Sequence, residues 1–239
     1  MRWAVANAPR GKTIVVGLTH TNLKEAATLA RTASELGVHA GLIPCPYYFP
    51  NSFPMVLEYL RALDAASDLP LVFYDNPLFT KTFLTAEELF RLVDACPHLN
   101  AVKMTDHNLA KISALKSKGV DVFSGDDVVA FRSLLLGVAG SMIIAPSVFP
   151  AAYQLSVRLL ASGKPAEALR VFSERILPFI HLFGPGDEVQ VTKAVFHRIG
   201  IFQSPEARLP LLPCPPARLS ETMLAYDLCM AQTSIPQSV

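Results

Sequence analysis

Tyr74 closes the apolar run Leu69-Pro70-Leu71-Val72-Phe73, and Lys103 closes Leu99-Asn100-Ala101-Val102. Loop-type residues follow each, Asp75-Asn76-Pro77 after the tyrosine and Thr105-Asp106 soon after the lysine, so each side chain is expected at the carboxyl end of a buried strand. In a parallel α/β protein that edge is where chemistry is done. A lysine set directly after Ala101-Val102 is expected to be partly desolvated. Desolvation lowers an amine's pKa toward the range where its neutral form attacks a ketone, which is the chemistry of a Schiff base. Taken alone, Lys103 reads more simply as a lysine that has cleared the strand, and Tyr74 as a half-buried strand aromatic. The pair carries more than either member: at the same end of adjacent strands the two side chains converge on one imine, with Tyr74 relaying protons.

The elements that hold this pair have the cadence of repeated βα units. Strands are predicted at 13–17, 40–44, 69–74, 99–103, 120–124 and 140–145, with their ends roughly 20 to 30 residues apart. Helices are predicted between them at 22–36, 54–65, 85–95, 106–118 and 126–137. Gly37 is placed to end the first, Pro54 to open the second, and Thr85-Ala86-Glu87-Glu88 to start the third as a capping box. From Ser147 the pattern turns all-helical, with helices expected at about 147–161, 164–182, 187–199 and 219–230. No low-complexity linker separates that part, so residues 1–150 and 151–239 read as a partial barrel and its helical extension within one structural unit. Six parallel strands are too few to close an eight-stranded barrel.

Composition excludes several other classes. In 239 residues, 51% are apolar and 17% charged, which rules out disorder and suits strands buried on both faces. A formal charge of +1 gives no net attraction to nucleic acid or anionic lipid. Cys45, Cys96, Cys214 and Cys229 lack C-x-x-C spacing and read as buried free thiols, which with the absence of a signal-peptide core points to the cytoplasm. The uncharged stretch 134–153 reaches membrane length, but Gly137, Gly140, Pro146 and Pro150 break it, so no membrane partner is expected. Asp126-Asp127 reads as a helix cap rather than a metal pair, and the six histidines show no ligand spacing, so no metal is expected. No glycine-rich nucleotide motif is present.

Pro46-Tyr47-Tyr48, Tyr74-Asp75-Asn76-Pro77, Lys103, Ser124-Gly125-Asp126-Asp127 and Gly140-Ser141-Met142-Ile143 follow one another after successive strands. In that order, over about residues 13–200, the chain resembles the dihydrodipicolinate synthase and N-acetylneuraminate lyase family of class I pyruvate-dependent aldolases. The resemblance implies a TIM (β/α)8-type barrel with a helical C-terminal extension, here N-terminally incomplete. It implies an imine between Lys103 and pyruvate or another 2-oxo acid, no separate cofactor, Tyr74 as proton shuttle, and a carbon–carbon lyase that cleaves or forms a bond at the pyruvate enamine. Substrate contacts are expected from Tyr48, Phe79, Ser124, Gly125 and Ile143. Tyr48 resembles the tyrosine that in some members reaches a neighbouring subunit's site, and a homo-oligomer, dimer or tetramer, is implied.

The departures from the family pattern define the open alternatives. Family chains begin with two further βα units, the first ending in a Gly-Thr-Thr-Gly type turn that holds the substrate carboxylate. No such turn occurs here, and a truncated or late-starting chain is expected. Phe79 stands where synthase members carry an arginine for a second carboxylate, which argues against aspartate semialdehyde and, with Phe49, toward a less charged or aromatic aldehyde. Asp75, Met104 and Ala101 also depart from the family pattern. A 2-keto-3-deoxy sugar acid dehydratase using the same imine, and a non-catalytic binding relative, are the competing readings.

Overall fold

The computed structural model describes residues 1–183 and 186–231. They separate into two compact units, one of residues 1–126 and 136–142, the other of residues 127–135 and 143 onward. The division leaves residues 143–150 with the helices.

The first unit is built on six parallel strands: β1 (Val15–Gly17), β2 (Ala40–Pro44), β3 (Leu71–Asp75), β4 (Leu99–Met104), β5 (Asp121–Ser124) and β6 (Gly140–Ser141). Their order in the sheet is their order in the chain. With every crossover of the same hand, such an order winds all connecting helices onto one face, the winding of a (β/α) barrel rather than of a doubly wound sheet. The sheet is the six-stranded part of that barrel.

Helices α1 (Arg2–Asn7), α2 (Leu23–Glu35), α3 (Phe53–Asp64), α4 (Pro77–Thr80), α5 (Ala86–Ala95) and α6 (Leu109–Ser117) belong to this unit. Local chemistry sets their starts. The Asn22 side chain accepts from Lys24 N ahead of α2, and Asn108 from Lys111 N ahead of α6. At α5 Thr85 Oγ1 accepts from Glu88 N at 3.1 Å while Glu88 Oε2 accepts from Thr85 N at 2.8 Å, the reciprocal capping box predicted above. A stripe of small residues on α2, Ala26, Ala27, Ala30 and Ala33, is fully or nearly fully buried. The sheet face bearing Ile43, Phe73, Val102 and Val122 is shut off from solvent completely and forms the centre of the core.

One irregularity interrupts the sheet. Leu71 pairs with Leu99 but Val72 pairs with Ala101, so β4 carries one extra residue, Asn100, relative to β3.

The second unit holds α7 (Ala130–Leu135), α8 (Ala145–Val148), α9 (Pro150–Ala161), α10 (Pro165–Arg175), α11 (Leu177–Ile180), α12 (Glu188–Arg198) and α13 (Pro216–Ala231). Its core is aromatic: Phe131 lies 5.2 Å from Phe172, Phe149 lies 5.2 Å from Phe179, and Phe149 stacks on Tyr226 at 5.7 Å between ring centroids.

Three expectations are corrected. The strand predicted over 140–145 ends at Ser141, because Ile144 N and Ala145 N donate to the Asp127 carboxylate at 3.1 and 2.7 Å, which commits those amides to opening α8. Asp127 therefore caps a helix distant in sequence. The helix predicted over 164–182 breaks at Ile176, where Pro178 two residues later has no N–H to give the preceding turn. Finally, Pro77–Thr80 forms one helical turn where a loop was expected.

Candidate active site

Parallel pairing puts register partners on the same face of the sheet. Pro44, Tyr74, Lys103, Phe123 and Gly140 form one such row across β2 to β6, near the carboxyl ends of the strands. Lys103 is half-buried and its Nζ lies 3.9 Å from the centroid of the Tyr74 ring, an ammonium over an aromatic face. Phe123 is the register partner of the lysine on its other side, in β5.

Gly125 completes this wall. A Cβ built there would come within 2.8 Å of Lys103 Cε, 2.7 Å of Thr105 Oγ1 and 2.9 Å of the Met104 carbonyl. Backbone and lysine stem cannot both give way, so Gly125→Ala (G125A) is expected to displace Lys103. Activity should fall about 10-fold to 100-fold with ~1 to 3 kcal/mol loss of stability, measured by turnover and by chemical denaturation. An alanine variant with unchanged turnover would mean that the lysine is not held by this contact.

Asn76 and Thr105 lie near this row, and sequence reasoning singled out neither. Asn76 Nδ2 donates to the Tyr74 hydroxyl at 3.0 Å. Asn76 Oδ1 and Thr105 Oγ1 are buried with no hydrogen-bond partner among the described residues. Tyr74 and Asn76 line a solvent-open cleft of about 300 Å³ together with Thr19, Pro44, Tyr47, Phe79 and Thr80. The only sequence signal for Asn76 is its spacing of two from Tyr74, which places both on one side of an extended segment.

The other expected contacts divide. Gly125 touches the lysine stem and Phe79 reaches the cleft, although 77% exposed. Ser124 pairs with Met104 rather than Lys103, so its side chain lies on the opposite face, fully buried, with Oγ 3.4 Å from the Asp126 carbonyl. The alternation that brings Phe123 and Gly125 to the lysine turns Ser124 away. Tyr48 is 82% exposed at φ 93, a backbone conformation that is costly for a residue with a Cβ, and its ring packs edge-on against Phe49 at 4.7 Å. Ile143 belongs to the second unit and packs half-buried against that core.

Behind the sheet, Asp75 is buried and faces away from the cleft. Lys111 of α6 donates to Asp75 at 2.5 Å and to Asp106 at 2.9 Å. Burial works against the charge on Lys111, but two carboxylates outweigh it and hold its pKa above the ordinary lysine value. Burial also pushes Asp75 up against the pull of Lys111. The aspartate that departs from the family pattern is thus an ion-pair partner on the helix side. Lys111→Met (K111M) should cost ~3 to 5 kcal/mol because it strands a buried carboxylate, while Asp75→Asn with Lys111→Met should recover most of that loss. Urea denaturation of the four proteins in the cycle measures it. The sign with pH follows from the raised lysine: the stabilisation is complete below about pH 10 and is lost as pH rises through the raised value, so the wild type should lose stability more steeply in alkali than the double variant.

Among the described residues no group of three or more histidine, cysteine, aspartate or glutamate side chains is arranged to hold a metal, and no helix is long and apolar enough to cross a membrane. Cys45 and Cys96 are buried thiols pushed up to about 12 and about 11 by desolvation, which leaves neither nucleophilic at neutral pH.

A family model described as the dihydrodipicolinate synthetase family matches residues 3–224. A 4-hydroxy-tetrahydrodipicolinate synthase of Acidobacterium capsulatum is 31% identical over 227 residues, covering 92% of this chain and 74% of that protein. Its counterpart in Phocaeicola vulgatus is 29% identical over 203 residues, covering 84% and 68%. Among solved structures, the 4-hydroxy-tetrahydrodipicolinate synthase of Methylacidiphilum fumariolicum superposes with a TM-score of 0.85 at 24% identity, covering 92% of this chain and 73% of that one. An Escherichia coli K12 prophage protein of the dihydrodipicolinic acid synthase family, solved in complex with pyruvate, gives 0.86 at 21% identity, covering 95% and 80%.

Proposed function

Since the chain belongs to the dihydrodipicolinate synthetase family, whose members are pyruvate-dependent class I aldolases, we propose that it is a Schiff-base lyase acting on pyruvate or a related 2-oxo acid. The observation that carries this reading is the Lys103 amine lying 3.9 Å over the ring of Tyr74 at the carboxyl ends of two paired strands. In the neutral form Lys103 attacks C2 of the 2-oxo acid, water leaves, and an iminium forms. The iminium draws electrons from C3, whose proton departs by way of the Tyr74 hydroxyl, and the resulting enamine attacks an aldehyde carbon to make the C–C bond. The aldehyde oxygen takes up a proton and hydrolysis frees Lys103. The reverse sequence cleaves the bond.

The second substrate is read from the cleft mouth. Phe79 and Tyr47 line it, and no arginine or lysine is among its lining residues, which supports an aldehyde without a second carboxylate. The chain is further proposed to work as a homo-oligomer: Tyr48 holds a strained backbone to present an exposed ring, which suits a side chain that contributes to a neighbouring copy.

Borohydride reduction in the presence of pyruvate tests the reading. One reduced pyruvyl adduct is expected on the peptide carrying Lys103. An unmodified peptide, under conditions that label a family aldolase, would favour the binding-protein alternative.

A further inference from the structure

Asn76 is 5% exposed, and of the two polar atoms of its amide one is bonded to the Tyr74 hydroxyl while the other, Oδ1, has no partner among the described residues. A buried, unpaired carbonyl is a cost that a core position does not ordinarily carry, since an apolar residue of the same size would avoid it. Positions that carry such a cost tend to be functional ones. The backbone is fixed independently of that amide: Asn76 O accepts from Thr80 N at 3.0 Å and from Thr80 Oγ1 at 2.9 Å. What the side chain adds is its bond to Tyr74.

We propose that Asn76 is the positioning residue of the proton relay, holding the Tyr74 hydroxyl at the angle from which it takes the C3 proton of the Lys103-bound substrate. The inference rests on the Schiff-base reading above. It concerns one step of it: the C3–H bond breaks, its electron pair becomes the C2=C3 bond of the enamine, the iminium charge is neutralised, and the proton passes through the Tyr74 oxygen to solvent. An N–H donated to that oxygen fixes which lone pair faces the substrate. Without it the phenol rotates freely about its C–O bond, and the relay is aligned only part of the time.

The test uses Asn76→Leu (N76L), which keeps the branched heavy-atom skeleton and removes both polar atoms. Three quantities are read: thermal stability, borohydride trapping of pyruvate at Lys103, and exchange of pyruvate C3 protons for deuterium followed by NMR. Stability should be equal to or above wild type because an unsatisfied carbonyl is gone, and trapping should persist. Exchange should fall about tenfold or more. In the Tyr74→Phe background the same substitution should change exchange no further, because Asn76 acts only through the hydroxyl. Several outcomes overturn the proposal: unchanged exchange in the N76L variant, stability and exchange falling together, or full additivity with Tyr74→Phe. Absence of trapping in the wild type overturns the Schiff-base reading itself and this inference with it. Normal wild-type trapping with any of the first three results removes Asn76 alone.

Discussion

Lys103→Ala (K103A) is expected to abolish pyruvate trapping and to lower turnover by about 10³-fold or more, to the level of the uncatalysed background. The size of the effect follows from the proposed chemistry, in which the Lys103 amine supplies the nitrogen of the covalent intermediate. Lys111, a buried amine behind the sheet, is paired with Asp75 and Asp106. Lys103→Arg sharpens the test. It keeps a cation to lie over the Tyr74 ring but has no neutral form at working pH, so it should retain stability and lose trapping. Labelling that survives in either variant, located by peptide mass, would move the imine to another lysine and end the assignment.

Tyr74→Phe (Y74F) should separate imine formation from proton transfer. The ring over which Lys103 lies is preserved, so the amine keeps its aromatic neighbour and trapping should continue. The hydroxyl proposed to move the proton is gone, and C3 deuterium exchange together with aldol turnover should fall about 10²-fold to 10⁴-fold. Loss of trapping in parallel with exchange would show that the hydroxyl is needed earlier, in forming the imine. Full retention of both would remove Tyr74 from the chemistry.

The pair itself was legible in the sequence because strand ends are marked twice, by the end of a β-branched or aliphatic run and by turn residues after it. The helix start at Thr85 was legible for the same reason: the capping chemistry lies within a few residues. What the sequence hid was carried by distant partners. Asp127 reaches Ile144 and Ala145 and turns an expected strand into a helix start. Asp75 finds Lys111 on another element, which the local motif gives no means to foresee. Ser124 was expected with Gly125 among the substrate contacts that the resemblance implies, yet strand alternation allows only one of two consecutive residues to face the lysine. Asn76 lay in plain view within the motif and was passed over, since its importance rests on a bond to a side chain two residues away.

The extra residue in β4 decides something larger than a local kink. Counting from Leu71 opposite Leu99, an uninterrupted ladder would set Val102 beside Tyr74 and send the lysine to Asp75's side of the sheet, into the layer of helices. Asn100 shifts the count by one and delivers Lys103 to the open face. Whether this fold sets the Lys103 amine beside Tyr74 or seals a cation in its interior is therefore a question of odd or even, settled by a single exposed asparagine three residues upstream of the lysine.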